Sequence, residues 1–597
     1  MSKKVNDFVI SVATVNGSGS QSANTILIKS IFRMGIPVGG KNIFPSNIMG
    51  LPTWFTIRVN KDGFTCMKRE CDFMVAMNQA TVLDDLKTVN SGGVFLYNDD
   101  LKLETALLRP DLKNFSVPFK KLVDQVTDQI RLKKLLINTI YVGILTKLLN
   151  IDLEIVKSVV RDQFSDKASV VTTNLKAIEV GYQYAVENIK DDVGMVLEKM
   201  DKTVGKILIE GNAAAGLGLM YGGCTFVSWY PITPSTSVVE NFNKFATKYR
   251  KDAHGKNTFA IVQAEDELAA ICMVMGAGWS GARAMTATSG PGVSLMAEAA
   301  GFSYYAEIPA VIWDIQRAGP STGLPTRTQQ ADIGFAATLS HGDTKHVLLF
   351  PATPDECFEF GQTCFDLAER LQTLVIVMSD IDLGMNLWIT DEFKYPTKPF
   401  DRGKVVDAEK LKNMAQYYRY EDTDKDGIPY RTLPGTHHPA AGFLTRGSGH
   451  NEKAQYTENN VQYQTVLDRL TRKFETAKKF VPKPIIETMR DSSVGIIAFG
   501  SSHWAVVESR DQLQKKKLNT DYLRVRAFPF TNEIKDFVRS HERVYVVEQN
   551  RDGQVFKLLQ IEYPEMATKL KSVTNYDGLP LDASRITNPI LKMENIL

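Results

Sequence analysis

Three short segments of the sequence contain side chains that could do chemistry. Residues 229–237, WYPITPSTS, place hydroxyl groups between prolines; residues 263–270, QAEDELAA, include adjacent carboxylates; residues 286–292, TATSGPG, combine hydroxyls with glycines. Hydroxyls in a rigid loop can hydrogen-bond a polar ligand, and a carboxylate removed from water becomes suited to proton transfer or charged hydrogen bonding. We therefore expect a binding or catalytic site where these segments meet.

The carboxylates Glu265, Asp266 and Glu267 lie between two predicted elements, the strand FAIVQ and the apolar helix LAAICMVMGAGW. At most two of these consecutive side chains can point outward, so we expect at least one to be buried or to face a cleft. A buried glutamate near a strand end, facing hydroxyls and glycines, suits a heterocyclic cofactor held by one charge-sensitive hydrogen bond.

Strands and helices alternate between residue 206 and about residue 390. The predicted strands are FAIVQ, RAMTATS, AVIWDIQ, HVLLF and TLVIVMSD. This alternation predicts an α/β fold with a doubly wound parallel sheet, whose site lies at the carboxyl ends of its strands. The three segments above, and IQRAGPSTGLPT at 315–326, all follow such strand ends.

The chain of 597 residues is too long for a single hydrophobic core. Its pattern predicts an N-terminal α/β domain, a charged linker, the doubly wound domain beginning with the strand KILIE, a polar excursion, and a smaller C-terminal α/β domain ending in a tail after about residue 575. These segments comprise residues 1–190, 191–206, 207–390, 391–485 and 486–597.

A glycine-containing loop, NGSGSQSAN, follows the predicted strand DFVISVATV at 7–15 and precedes the predicted helix TILIKSIFRMG. Such a loop can hold a phosphate at a helix N-terminus, or it can be a tight turn. Ser22 stands where a dinucleotide-binding fingerprint requires glycine, so both interpretations remain open.

Composition excludes several classes of partner. The 70 basic and 68 acidic side chains give a net charge of +2, so neither nucleic acid nor an anionic membrane is predicted as a partner. The uncharged run from residue 211 to 239 is long enough to span a bilayer, but its glycines and prolines argue against a membrane helix.

The six cysteines contain no CxxC pair, which argues against a zinc ribbon and against a complete set of iron–sulfur ligands on this chain. We predict buried thiols in a reducing cytosol and a cytoplasmic location, because the N-terminus also lacks a signal-peptide pattern. No nucleophile elbow, Walker A loop, HExxH or kinase motif is present, so hydrolase and phosphotransferase functions are not indicated.

The chemical segments, together with HGD at 341–343 and VVEQNRDGQ at 546–554, resemble the alpha subunit of 2-oxoacid:ferredoxin oxidoreductases, especially the 2-oxoglutarate type. The N-terminal third resembles the gamma subunit of these enzymes through FPSNIMGLPTWFTIRV at 44–59. The resemblance covers nearly the whole chain. It implies a gamma-type α/β domain, a thiamine diphosphate pyrimidine-binding domain and a C-terminal domain similar to that of transketolase.

The resemblance implies thiamine diphosphate chemistry with Glu265 bound to N1′ of the aminopyrimidine, where it favours the imino tautomer. Pro231 and Ile232 are expected beside the cofactor, and Thr233 is expected to hydrogen-bond the 2-oxo acid end of the substrate. Two alternatives remain open. Glu267 would cap the following helix, and the Thr233 hydroxyl would only stabilise a turn.

Arg317 can pair with a carboxylate through two parallel hydrogen bonds, and Ser321, Thr322 and Gly323 offer hydroxyl and N–H donors beside it. A substrate with a second carboxylate would use these groups, which favours 2-oxoglutarate over pyruvate. The alternative for Arg317 is a structural ion pair with Asp314 or another carboxylate.

Ser289 and Gly290 would allow a cofactor or a partner backbone to approach closely. A simple turn between a strand and a helix explains the same two residues.

The sequence lacks the GDG-type run with a downstream Asn that holds magnesium and diphosphate in thiamine enzymes, so no metal site is predicted on this chain. The resemblance therefore implies a beta subunit that supplies magnesium, the diphosphate half of the cofactor and a [4Fe-4S] cluster, in an (alpha-beta)2 heterotetramer. Its expected substrates and partners are 2-oxoglutarate, coenzyme A and ferredoxin.

The direction of the reaction stays open, as do two other functions. The first is oxidation of pyruvate or a branched-chain 2-oxoacid. The second is a non-catalytic scaffold, which the joint presence of Thr233, Glu265 and Arg317 disfavours.

Overall fold

A computed structural model describes residues 3–46, 50–165 and 167–596. The chain divides into two compact units, each assembled from separated stretches of sequence. The first unit comprises Met1–Ile209, Asn386–Glu392 and Pro580–Arg585. The second comprises Glu210–Met385, Phe393–Leu579 and Ile586–Leu597. The finer division into five segments stays a prediction.

The chain up to Glu210 forms an α/β arrangement. Its strands are β1 (Lys4–Val5), β2 (Asp7–Val15), β3 (Val38–Ile43), β4 (Pro52–Asn60), β5 (Cys71–Ala76), β6 (Val89–Asn98), β7 (Lys113–Val117), β8 (Met195–Val196) and β9 (Lys206–Glu210). Its helices are α1 (Ser20–Arg33), α2 (Val82–Lys87), α3 (Phe119–Asp124), α4 (Ile130–Leu148), α5 (Leu153–Gln163) and α6 (Ala168–Asn188). A short 3₁₀ helix covers Thr105–Leu107.

The main sheet of this region has the strand order β3-β4-β2-β5-β6-β7. Strand β2 lies in its interior, antiparallel to β4 and parallel to β5, which explains its almost continuously apolar sequence. The strand predicted at 7–15 is therefore confirmed. Of the segment at 44–59, residues 47–49 lie outside the described residues, and its end forms part of β4.

The glycine loop before α1 is a turn fastened to a neighbouring helix. Gly17 and Gly19 have φ angles of 81° and 86°, which favour glycine. The side-chain amide of Asn138 donates to the Ser18 carbonyl over 2.7 Å and lies 3.1 Å from the Ser18 hydroxyl. Helix α1 begins at Ser20, earlier than predicted, and has no side-chain cap.

The helical region predicted between residues 121 and 190 is confirmed by α4 and α6, which pack closely. A Cβ atom on Gly143 would lie 2.1 Å from the Ile178 carbonyl oxygen, and one on Gly181 would lie 2.1 Å from that of Ile140. Their apolar residues join the core of the first unit. Within the described chain, the helices are all too short or too polar to cross a membrane.

The second unit begins with a run of alternating strands and helices. The strands are β10 (Phe226–Trp229), β11 (Ala260–Gln263), β12 (Ala284–Thr288), β13 (Ala310–Gln316), β14 (Val347–Leu349) and β15 (Leu374–Asp380). The helices are α7 (Gly211–Tyr221), α8 (Thr236–Tyr249), α9 (Glu267–Trp279), α10 (Gly290–Leu295), α11 (Ala297–Ala306), α12 (Ile333–Ala337), α13 (Pro354–Leu371) and α14 (Ile381–Met385).

The rest of the chain contains a second set of elements. The strands are β16 (Leu387–Asp391), β17 (Ile485–Glu487), β18 (Val494–Phe499), β19 (Thr520–Val525), β20 (Ala527–Phe528), β21 (Arg543–Glu548) and β22 (Leu570–Thr574). The helices are α15 (Ala408–Asn413), α16 (Asn460–Ala477), α17 (Ser502–Lys515), α18 (Asn532–Ser540), α19 (Gln554–Glu562) and α20 (Ser584–Met593). Short 3₁₀ helices cover Pro439–Ala441 and Pro564–Lys569.

The larger sheet of the second unit has the order β11-β10-β12-β13-β15-β14-β20. Its first six strands are parallel, and β20 joins β14 in the antiparallel sense. The predicted doubly wound parallel sheet is thus confirmed. A second sheet, β17-β19-β18-β21-β22, forms the smaller α/β domain.

Two expectations about element placement are wrong. Strand β9, the KILIE segment, does not begin the parallel sheet: it pairs with β16 instead, and Lys206 contacts Asp391 at 2.6 Å. The predicted C-terminal tail contains helix α20, whose Ile586 and Ile590 are fully buried. Both features depend on contacts between distant parts of the chain, which local patterns do not report.

The polar segment predicted at 391–485 is attached to the rest of the second unit by buried ion pairs. Helix α16 carries Arg469 and Lys473, and both contact the buried carboxylate of Glu307, Lys473 at 2.8 Å. Burial alone would raise the pKa of Glu307, but the charges of Arg469 and Lys473 outweigh burial and lower it from 4.5 to about 2. Glu307 therefore stays ionised and paired at neutral pH.

Replacing Glu307 by Gln should destabilise the protein by about 3–5 kcal/mol, because two buried cations would lose their counter-charge. Thermal and chemical unfolding of the purified protein measure this loss. The matched control is Glu475→Gln, which removes an exposed pair with Lys478 on the same helix and should cost no more than about 1 kcal/mol. Equal losses of unfolding free energy in the two variants would show that the ion pairs of Glu307 do not stabilise the attachment of α16.

The pH dependence of stability follows from the same carboxylate. Because its pKa is lower in the folded protein, its contribution is complete above a pH of about 4.5 and is lost as the pH falls towards 2.

Candidate active site

The predicted chemical segments meet at one edge of the parallel sheet. Residues 230–235 follow β10, residues 264–266 follow β11, Ser289 follows β12, and residues 317–332 follow β13. These four strands are consecutive neighbours in the order β11-β10-β12-β13 and run in the same direction. The segments therefore converge because their strands end side by side.

The loop after β10 is closed by hydroxyls other than that of Thr233. The Ser235 and Thr236 hydroxyls donate to the Ile232 carbonyl oxygen over 3.0 Å and 3.3 Å. Thr233 is exposed, and across the described residues its hydroxyl makes no hydrogen bond. The alternative in which Thr233 stabilises the turn is wrong, and its hydroxyl is available to a ligand. Pro231 is exposed and Ile232 is half-buried beside it.

The three carboxylates after β11 have different environments. Asp266 caps helix α9, because its Oδ1 accepts the backbone N–H of Ala269 at 2.7 Å. The alternative in which Glu267 is the cap is therefore wrong. Glu267 is the buried member, as expected for at least one of the three, and it packs against Gly292. Glu265 is exposed, so this chain alone does not enclose it in a low-dielectric pocket.

Ser289 and Gly290 lie where β12 leads into α10. The Ser289 hydroxyl is buried and finds no hydrogen-bond partner among the described residues. A Cβ atom on Gly290 would lie 2.7 Å and 2.9 Å from the carboxylate oxygens of Asp332. A side chain at position 290 would therefore displace the Asp332 carboxylate.

Arg317 joins two of the converging segments. Its Nη1 donates to the carbonyl oxygen of Thr233 at 2.6 Å, whereas its Nε is buried without a hydrogen-bond partner in the described structure. Arg317 forms no salt bridge with a described residue, so the expected alternative of an ion pair with Asp314 or another carboxylate is wrong. Burial lowers the pKa of Arg317, and the charge of Asp332 opposes that effect.

The loop after Arg317 borders a cavity of about 620 Å³, which Arg317, Ser321 and Asp332 help to line. Ser321, Thr322 and Gly323 are exposed in a tight turn. Gly323 has a φ of 51°, and a Cβ atom there would lie 2.1 Å from the Ala318 carbonyl oxygen. Glycine is thus needed to shape the turn.

Sequence reasoning missed the side chains that fasten this loop. Gln330 donates to Asp380 at 3.2 Å, and the Asn550 side chain donates to the Gln330 carbonyl at 2.9 Å. Gln549 donates its backbone N–H to the Gln330 side chain. The string VVEQN carries the family resemblance, but no local pattern indicates that it reaches the Arg317 loop.

Other noted groups lie apart or differ from expectation. The HGD segment lines a different cavity of about 290 Å³. Five cysteines are buried as expected, but Cys272 is exposed on α9, because one face of that helix is uncovered. In the described stretches, no three His, Cys, Asp or Glu side chains are grouped so as to hold a metal ion.

Comparisons with known proteins match this architecture. Residues 217–424 match a family described as pyruvate flavodoxin/ferredoxin oxidoreductase, thiamine diP-bdg, and residues 9–184 match one described as pyruvate ferredoxin/flavodoxin oxidoreductase. The 2-oxoacid:ferredoxin oxidoreductase 2 subunit alpha of Aeropyrum pernix is 28% identical, with 98% of each chain covered. The 2-oxoglutarate synthase subunit KorA of Methanothermobacter thermautotrophicus is 32% identical, with 64% of this chain and 98% of that protein covered.

A solved structure is similar over the whole length. The 2-oxoglutarate:ferredoxin oxidoreductase of Magnetococcus marinus, determined with 2-oxoglutarate, coenzyme A and succinyl-CoA bound, has a TM-score of 0.87 and 28% identity. The superposition covers 99% of this chain and 100% of that chain.

The fold and the matched domains define a thiamine diphosphate-binding oxidoreductase subunit. The chain belongs to the alpha subunits of 2-oxoacid:ferredoxin oxidoreductases, with a gamma-like domain fused at the N-terminal side.

Replacing Gly290 by Ala should lower 2-oxoacid-dependent ferredoxin reduction by about 10- to 100-fold, because the new Cβ displaces Asp332 and the cavity it lines. The measurement is kcat/KM of the complex with its partner subunit. Gly442→Ala is the control, since a Cβ there meets no atom within 4 Å. A Gly290→Ala complex as active as the control would show that this contact does not shape the site.

Proposed function

We propose that this chain is the fused gamma–alpha subunit of a 2-oxoglutarate:ferredoxin oxidoreductase. The complex converts 2-oxoglutarate and coenzyme A to succinyl-CoA and CO2 and passes electrons to ferredoxin, and its direction reverses when ferredoxin is sufficiently reducing. The observation that carries the proposal is Arg317, a guanidinium without an ion pair in the described chain that is fixed against the Thr233 loop at the rim of a cavity.

Glu265 is the proposed catalytic group toward thiamine diphosphate. It lies just after the end of β11, and the exposed Pro231 and half-buried Ile232 follow the neighbouring strand β10. Ser289, whose hydroxyl has no hydrogen-bond partner among the described residues, follows β12 on the other side of β10. Glu265 would hold an aminopyrimidine ring by a charged hydrogen bond, and Pro231, Ile232, Ser289 and Gly290 would line the cofactor beside it. When bound, the cofactor supplies an electron sink for cleavage beside the 2-oxo group.

A second chain completes this site. Helix α9 begins two residues after Glu265 and presents an exposed apolar face formed by Leu268, Met273 and Trp279, and Leu295 of α10 is exposed as well. An exposed apolar face of this kind is typical of a protein interface. A beta subunit seated here would also remove Glu265 from water and thereby strengthen its hydrogen bond to the cofactor ring.

The remaining cofactors belong to the proposed beta subunit. It carries magnesium and the [4Fe-4S] cluster, and the assembly is an (alpha-beta)2 heterotetramer. We place the complex in the cytoplasm, because the buried thiols suit a reducing compartment.

Thr233 and Arg317 bind the substrate in this proposal. The exposed Thr233 hydroxyl donates to the 2-oxo acid end, and Arg317 holds the second carboxylate together with donors from Ser321, Thr322 and Gly323. Pyruvate and branched 2-oxoacids lack that carboxylate. A complex that reduces a viologen dye with pyruvate or a branched acid in preference to 2-oxoglutarate would overturn the substrate assignment, and no reduction with any 2-oxoacid would favour a scaffold.

Replacing Glu265 by Gln should reduce 2-oxoglutarate- and coenzyme A-dependent viologen reduction by at least about 100-fold, since the amide cannot form the charge-assisted hydrogen bond. Binding of thiamine diphosphate to the co-expressed complex should weaken in parallel. Glu240→Gln, an exposed carboxylate on α8, serves as the control. Unchanged activity in Glu265→Gln would remove Glu265 from the cofactor site.

Replacing Arg317 by Gln should raise the KM for 2-oxoglutarate by about 10- to 100-fold through loss of a charged hydrogen-bond pair. The KM for pyruvate should change much less. Arg551→Gln is a matched control, because Arg551 lines the same cavity but is already paired with Asp552 at 2.7 Å. Equal effects on both substrates would place Arg317 away from the second carboxylate.

A further inference from the structure

One fully buried and one partly buried carboxyl group stand on either side of Arg317 in the sequence and have no part in the proposed chemistry. Asp314 is fully buried on β13, and neither of its oxygens has a hydrogen-bond partner among the described residues. Asp332 lies just before α12, where its backbone N–H donates to the Gln316 side chain at 3.1 Å. Its Oδ2 is also buried without a partner in the described chain. Buried carboxyls without donors must be neutral or compensated by a nearby cation.

Asp332 is the member that faces the cavity. It lines the cavity with Arg317, and its carboxylate packs against the backbone of Gly290. The carboxylate therefore sits at the same rim as the guanidinium proposed to receive the substrate, without a salt bridge to it within 4 Å.

The two carboxyls differ in their affinity for a proton. Burial and the neighbouring charge of Asp332 raise the pKa of Asp314 well above its ordinary value, so Asp314 is neutral at physiological pH. Burial also raises the pKa of Asp332, to about 6, although Arg317 opposes this rise. Asp332 is thus an anion at neutral pH that lies close to its titration range.

The other charged groups that face Asp332 come from the far wall of the cavity. Arg551 and Asp552 form an exposed ion pair there, and its hydrogen bond lowers the pKa of Asp552. Asp577 and Tyr576 complete that wall, and Asp577 accepts the backbone N–H of Leu579 at 3.1 Å. Helix α10 contributes Gly290, Pro291 and Ser294, none of which is charged.

We propose that Asp332, which lines the cavity with Arg317 without a salt bridge to it, carries a negative charge near the guanidinium in the substrate-free site and takes up one proton when a substrate carboxylate binds Arg317. The inference rests on the proposed substrate role of Arg317. The incoming carboxylate places a second anion beside the same guanidinium, and like charges at short range cannot both stay ionised at low cost. A proton from solvent adds to an Asp332 oxygen, so a neutral carboxyl remains against Gly290 while the substrate takes over the charge of Arg317.

Proton uptake makes substrate affinity depend on pH. Because the substrate binds best when Asp332 is protonated, the affinity for 2-oxoglutarate is highest below the pKa of Asp332 in the free site, about 6, and decreases as the pH rises above that value. The limiting slope for one proton is a tenfold rise in KM per pH unit. The kcat of the bound complex should not follow this profile.

The test is the pH profile of the KM for 2-oxoglutarate in the complex with its partner subunit. Wild-type KM should rise by about tenfold between pH values of about 6.5 and 8. Asp332→Asn should abolish this rise, and Asp332→Glu should restore it in part. Asp552→Asn removes a charge from the same cavity but should retain the slope, because Asp552 does not titrate in this range.

Calorimetry provides a second measurement that does not need the variants to fold. Binding of 2-oxoglutarate to the wild-type complex without thiamine diphosphate, measured in buffers of different ionisation enthalpy, should show uptake of nearly one proton at a pH of about 7.5. No uptake, or a slope retained in Asp332→Asn, would overturn the inference. If Arg317→Gln leaves the KM for 2-oxoglutarate unchanged, the substrate role of Arg317 is wrong. If Arg317→Gln raises this KM but no proton is taken up, only the role of Asp332 is wrong.

Discussion

The parallel register of β11, β10, β12 and β13 is the constraint on which the candidate site depends. Parallel strands end at the same edge, so residues far apart in sequence are delivered to one place without any direct bond between them. The hydrogen bond from Arg317 to the Thr233 carbonyl then fixes two of these strand ends relative to each other. Because that bond uses a backbone acceptor, it orients the guanidinium without neutralising its charge, and the Thr233 hydroxyl stays available.

The loop after β13 is held mainly by neutral polar groups. Gln330 contacts Asp380 on one side and receives donors from Gln549 and Asn550 on the other. This network fixes the backbone beyond Arg317 while adding little charge near the cavity. Arg551 is paired with Asp552 at the same cavity, so the charge of the site that is not already paired is carried by Arg317 and the acidic groups near it, and it is sensitive to a single carboxylate. The buried ion cluster around Glu307 serves a different purpose, since it attaches the polar excursion to the same unit.

Much of the fold could be predicted because buried parallel strands are short, continuous apolar runs, and β13 and β15 show this clearly. The location of the site followed from the same runs, since polar motifs at strand ends must lie at one edge. Contacts between distant segments could not be predicted, including the β9–β16 pair and the approach of Asp332 to Gly290. The exposure of Glu265 was also missed, because burial of a side chain depends on what covers the edge strand β11, and this chain leaves it uncovered.

The uncovered apolar face of α9 affects how the chain exists outside a complex. Apolar side chains that face water carry a continuing free-energy cost and offer a surface on which unpaired copies can associate with each other. Binding of a partner removes both, so the apparent stability of this chain increases with the concentration of free partner. An excess of this chain over a partner that covers this face would therefore be prone to associate with itself.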